Sequence, residues 1–141
     1  MPGSGARVNR PLTILIADRN PNVRDFLRRE VTADGHRVRL AQTGRQLIRL
    51  AALLRPLDLI ILDPDLPDTD ATGLLTELRA KTSSLPVILH SYTADYEKDG
   101  TIVKNAIFIE KQGNSIERLK QIIAEIGAGK PPAANGAEDV D

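Results

Sequence analysis

At 141 residues the chain has the length of one domain with one core, and its 19 basic and 19 acidic side chains cancel. No net field therefore draws it to nucleic acid or to an anionic membrane. Cysteine is absent, which excludes disulfides, thiolate metal sites and thiol catalysis. Two Tyr, two Phe and no Trp are too few rings for a base-stacking surface, and no apolar run reaches the length of a membrane span or signal core, so a soluble, cytoplasmic protein is expected.

In chain order, residues 1–10 read as a small, polar, flexible leader. Leu12 to Ala17 is a buried-strand candidate that ends on Asp18. Asn20-Pro21 starts a helix, with Asn as cap and Pro at the first helical position, and Val23, Phe26, Leu27 and Val31 recur at helical spacing. Asp34-Gly35 closes it. His36 to Ala41 alternates basic and apolar residues, the pattern of a strand near a sheet edge, and His36 is expected to be exposed. Thr43 with Gln46 predicts a capping box on a second helix, which Pro56 ends.

Leu57 to Pro67, LDLIILDPDLP, is the centre of the pattern: a short apolar run buried on both faces of a parallel sheet, halted at Asp63 by an acidic, proline-bearing turn. Leu74, Leu75 and Leu78 mark a third helix running to about Lys81, and Leu85 to His90 a fourth strand with Pro86 at its start. Tyr92 to Lys104, interrupted by Asp99-Gly100, predicts a short or irregular helix and a segment that opens readily. Ala106 to Ile109 is a fifth strand, and Asn114 with Glu117 predicts a capped last helix with Ile116, Leu119, Ile122, Ile123 and Ile126 inward. Residues 128–141 have the composition of a disordered tail. Strand–helix alternation throughout implies an α/β fold, a parallel sheet with helices on both faces.

Four strand ends then carry polar groups: Asp18, Asp63, Ser91 and Lys111. In a doubly wound sheet of flavodoxin-like order these ends share one edge, where such folds place their chemistry. An acid pair, a hydroxyl and an ammonium can together manage a phosphoryl group. Asp63 would be the nucleophile, Ser91 and Lys111 would hold phosphoryl oxygens, and Asp18 would help hold a divalent cation. His90 reads as a packed strand histidine; two separated His make no metal site.

From Leu12 to about Ile126 the chain resembles the receiver domain of bacterial two-component response regulators, in ILIADRNP, LDLIILDPDLPDTDATGLLTELRA, PVILHSY and FIEKQ. The resemblance implies a flavodoxin-like five-stranded doubly wound parallel sheet over residues 11–127, Asp63 as phosphoacceptor, and Ser91 and Phe108 as the switch pair. It also implies Mg²⁺ held by Asp18 and Asp63; Asp65, on the other side of the turn, is a candidate to restore the ligand lost at Arg19. The implied function is a stand-alone, non-enzymatic receiver that signals by protein contact, with no nucleic acid bound and no membrane insertion. Its partners would be a sensor histidine kinase or phosphotransfer protein and a downstream protein, with homodimerisation left open.

The chain departs from that family at Arg19, where a second acid normally ligates the metal, and also at Ala71, Tyr92 and Gln112. Tyr92 is large enough to gate Asp63. A fixed cation about 5 Å from a divalent ion at an effective dielectric near 20 costs roughly 7 kcal/mol, so Mg²⁺ binding is expected to be weak or absent. Arg19 either swings into water or bridges Asp18 and Asp63 in place of the metal. Two other functions compete. A pseudo-receiver would keep the fold as a docking module without phosphorylation. Asp63-Pro64-Asp65 also resembles the DxD pair of haloacid-dehalogenase-type phosphohydrolases, but a full strand–helix–strand–helix section precedes it. A flavodoxin-like cofactor binder lacks the required phosphate loop after the first strand.

Overall fold

The structure is a computed structural model that describes residues 10–82, 84–92 and 106–130. Among these, five strands and four helices follow in the order β1 (Thr13–Ala17), α1 (Pro21–Ala33), β2 (Arg37–Ala41), α2 (Gly44–Leu53), β3 (Leu59–Leu62), α3 (Ala71–Lys81), β4 (Val87–Ser91), β5 (Ala106–Glu110) and α4 (Ser115–Gly127). All strands pair in parallel in the spatial order β2-β1-β3-β4-β5. The flavodoxin-like order expected from the sequence is therefore the observed one. The segment predicted to be an irregular helix after Tyr92 lies outside the described residues.

Period two along the strands divides the apolar side chains into two cores. Ile14, Ile16, Leu59, Ile61, Ile88, Ile107 and Ile109 face α1 and α4, while Leu15, Ile60, Leu62, Val87 and Leu89 face α2 and α3. The central strands β1, β3 and β4 are buried along their whole length, whereas β2 and β5 alternate, as edge strands do.

Local signals held unevenly. Asn20 caps α1 by accepting the Asn22 and Val23 amides, and Gly35 turns the chain out of α1 at φ +96. Thr43 accepts the Gln46 amide, but the Gln46 side chain accepts from Gln42 (2.7 Å) and not from Thr43, so the capping box is shifted by one residue. Asn114 makes no side-chain cap on α4. Its φ −103, ψ 14 is not the extended conformation that aims a cap oxygen at the first amides. His36 is half-buried, not exposed, and its Nδ1 accepts the Leu12 amide at 3.0 Å.

Candidate functional site

Parallel pairing runs one residue past the strands and delivers the polar groups to one edge. The Asp18 amide donates to the Ala41 carbonyl (3.2 Å), Asp63 to Ala17 (2.8 Å) and Lys111 to Ser91 (2.7 Å). Asp18 and Asp63 are each 1% exposed, and Ser91, the last residue of β4, is equally buried. All three lie where an open α/β sheet concentrates its chemistry.

Each carboxylate is first fixed by its own chain. Asp18 Oδ1 accepts the Asn20 amide at 2.9 Å and Asp63 Oδ1 the Asp65 amide at 3.0 Å, both two residues on, the pattern of an Asx turn. Pro64 removes the intervening amide, which is why Asp65 supplies the donor. Long-range partners complete the acids. Lys111 Nζ lies 3.0 Å from Asp18 Oδ2 and 3.8 Å from Asp63 Oδ2, close as charges but off the hydrogen-bonding axis. The Tyr92 ring covers that ammonium, 4.9 Å from Nζ to centroid. Tyr92, large enough to gate Asp63, packs over Lys111 and remains exposed.

Arg19 does not span the acid pair, nor does it swing away. Its amide donates to Asp63 Oδ2 (3.2 Å) and its Nε lies 3.3 Å from the same oxygen. Its Nη1 donates to the Asp65 carbonyl at 3.4 Å, and Nη2 stands 3.9 Å from Asp65 Oδ2. The bridge is thus between Asp63 and Asp65, and Lys111 serves Asp18. Burial raises the Asp18 carboxyl above its ordinary value, against the pull of the Asn20 amide and Lys111.

The donor set can be tested against the divalent cation that the resemblance implies. All four oxygens of Asp18 and Asp63 already face an N–H or a cationic nitrogen. Among the described residues no cluster of three His, Asp or Glu side chains could enclose an ion. In this arrangement the residues do not fit a metal.

Phe108, the expected switch aromatic, is half-buried on β5 against the α2–α3 core and pairs in register with Leu89. His90, beside Ser91, is buried, with Nε2 3.1 Å from Ser115 Oγ. Burial, reinforced by Lys111 and opposed by Asp63, pushes its pKa down to about 4. Sequence reading missed two positioning contacts. Arg24 Nη1 donates to the Asp18 carbonyl (2.7 Å), fixing the turn after β1. Asp68 accepts the Gly44 (2.6 Å) and Arg45 (3.0 Å) amides, holding the start of α2 from the loop before α3. Arg24 is half-buried, its helical phase carries no information about that target, and nothing in the sequence links Asp68 to Gly44.

Comparison with known proteins identifies the family. The family model for the response regulator receiver domain matches residues 14–124. The chain is 37% identical over 79 residues to "Response regulator MprA" of Mycolicibacterium vanbaalenii, covering 56% of this chain and 34% of that protein. It is 41% identical over 78 residues to the KDP operon transcriptional regulatory protein KdpE of Escherichia coli, covering 55% of this chain and 34% of that protein. The chain thus spans about a third of the length of either relative. In fold it is similar to the response regulator TrrA of Thermotoga maritima, solved in complex with Mg(2+)-BeF, with a TM-score of 0.73 and 24% identity over 82% of this chain and 98% of that one. The chemotaxis protein CheY4 of Vibrio cholerae superposes with a TM-score of 0.69 and 20% identity, covering 79% of this chain and 96% of the other. Sheet order and the sequence match over most of the chain agree: this chain belongs to the response regulator receiver domain family.

Proposed function

We propose that this chain is a phosphorylation-controlled receiver in a two-component pathway, with Asp63 as the acceptor. The observation that carries the reading is the Asp63 carboxylate at the end of the central strand, with Arg19 against Oδ2 (3.3 Å) and the Lys111 ammonium 3.8 Å from it. Those cations would meet the charge that develops on phosphoryl oxygens, with Ser91 on the same edge as hydroxyl ligand and Phe108 as its relay. The phosphodonor would be a histidine kinase or phosphotransfer protein, and output would pass by protein contact. A groove of about 320 Å³ beside the site supports such docking: Val23, Phe26, His90, Tyr92 and Lys111 line it, and the Phe26 and Tyr92 rings are exposed.

Intact-protein mass spectrometry after incubation with acetyl phosphate tests the acceptor. Wild type should gain one phosphate and Asp63→Asn none; an equal gain in both would rule Asp63 out. One observation favours the pseudo-receiver as second reading. Arg19 Nε, 3.3 Å from Asp63 Oδ2, ties up one of the two oxygens that could attack. That reading predicts no gain in the wild type.

A further inference from the structure

The charge count at this edge is informative. Asp18, Asp63 and Asp65 face Arg19 and Lys111, three negative charges against two positive, a net of −1. With an acid at position 19 there would be four carboxylates against one ammonium, and a single divalent cation would bring that site back to the same −1. Arg19 reaches this value with no ion. It does so on two of the acids that the resemblance and the sequence offered to a metal, since its Nε and backbone amide both approach Asp63 Oδ2 (3.3 and 3.2 Å) and its Nη2 stands by Asp65 (3.9 Å). The guanidinium is not a stray surface group. The Asp65 carbonyl accepts from Nη1 and fixes the plane of the fork, although nearly half of the side chain remains open to solvent. A planar fork with several N–H donors suits a phosphoryl group as well as a carboxylate.

We propose that Arg19 is the resident cation of this site: it excludes Mg²⁺ and lets Asp63 take a phosphoryl group without a divalent ion. The inference rests on Asp63 being a phosphoacceptor. In the step itself an Asp63 carboxylate oxygen attacks the phosphorus of an acyl phosphate. A new P–O bond forms to Asp63, and the donor's bridging P–O bond breaks. The carboxylate of the donor leaves with the electron pair, and no proton or oxidant is needed. As charge builds on the phosphoryl oxygens, the Arg19 guanidinium moves from Asp63 Oδ2 onto them, with Lys111 on the other side. Arg19 therefore touches the reacting atoms and acts as a catalytic residue.

The experiment combines labelling with acetyl phosphate, followed by intact mass, and calorimetric Mg²⁺ titration of the unphosphorylated protein. Wild type should label at the same rate in EDTA as in Mg²⁺ and show no saturable Mg²⁺ binding. Arg19→Gln, which removes the cation without adding a charge, should label about a hundredfold more slowly in EDTA. Arg19→Asp should bind Mg²⁺ and label only in its presence. If Arg19→Asp does not fold without metal, the wild-type and Arg19→Gln arms still decide. Loss of wild-type labelling on chelation, or Mg²⁺ binding by the wild type, would overturn the proposal. Labelling of Arg19→Asp alone would leave Asp63 as a competent acceptor and make Arg19 a block, not a catalyst. If no variant labels under any condition, the acceptor reading falls, and this inference with it.

Discussion

Lys111→Met should cost the fold about 3 kcal/mol at neutral pH and, if Asp63 is the acceptor, most of the phosphoryl-transfer rate. The Lys111 side chain is only 5% exposed, and its Nζ is 3.0 Å from Asp18 Oδ2 and 3.8 Å from Asp63 Oδ2. Methionine keeps much of the aliphatic stem, so the change is mainly one of charge. Asp63 retains Arg19, but among the described residues Asp18 is left with the Asn20 amide. Removing one partner of a buried ion pair typically costs about 3–5 kcal/mol, because the other charge stays buried without compensation. Here the lower end is expected, since Asp18 can escape by taking up a proton.

The pH dependence follows from that escape. Burial already raises the Asp18 carboxyl, and Lys111 is one of the groups pulling it back. An acid raised in the fold contributes stability that is full below the unfolded value of 3.8 and is lost as pH rises through the folded value. Without Lys111 the folded value rises further, so the deficit of the variant should be wide at neutral pH and should shrink in acid. Denaturant melts of both proteins at pH 7 and near pH 4 measure this. An equal deficit at both would assign the loss to packing under the Tyr92 ring.

Between pH 6.5 and 4 the protein should lose about 3 kcal/mol of stability through His90. The ring is buried, its Nε2 faces Ser115 Oγ at 3.1 Å, and Nδ1 has no hydrogen-bond partner among the described residues. Burial first, and the nearby Lys111 ammonium second, hold its pKa down to about 4, with Asp63 opposing. The unfolded chain binds this proton at pH 6.5 and the fold refuses it until about 4. Stability from this group is therefore full above 6.5, falls through the interval and levels off below 4. His90→Gln, which can keep a bond to Ser115, should flatten that part of the stability–pH curve. A residual slope of the same sign should remain from His36, which partial burial lowers against the pull of Asp34 and Asp58. A curve unchanged by His90→Gln would mean that the ring takes up its proton as readily in the fold as in the unfolded chain.

How much of this was legible in the sequence differs from residue to residue. The run Leu59–Leu62 could be read as a central strand because a strand buried on both faces must be apolar at every position, and β3 is. The alternation of Arg37, Val38, Arg39 and Leu40 announced an edge, since only an edge strand can expose one side chain in two on a covered sheet. The amide of Asp65 was foreseeable as the donor to Asp63, because Pro64 leaves no nearer one. Capping was less secure. Asn114 and Glu117 have the right spacing, but a cap also requires an extended backbone at the cap residue, and spacing carries no information about ψ.

By itself, then, the sequence determined what depends on neighbours along the chain: strand and helix periods, turn chemistry, and the arrival of Asp18, Asp63, Ser91 and Lys111 at strand ends. Tertiary structure decided which charge meets which. Lys111 reaches Asp18 although β1 and β5 are not neighbours in the sheet, and Arg19 turns to Asp63 and Asp65 instead of its adjacent acid. Long cationic side chains choose partners by reach and by the oxygens left open to them, and those follow from strand order and turn geometry. Asp18 spends Oδ1 on the Asn20 amide and Oδ2 on Lys111, so the guanidinium goes to the acids whose oxygens face it.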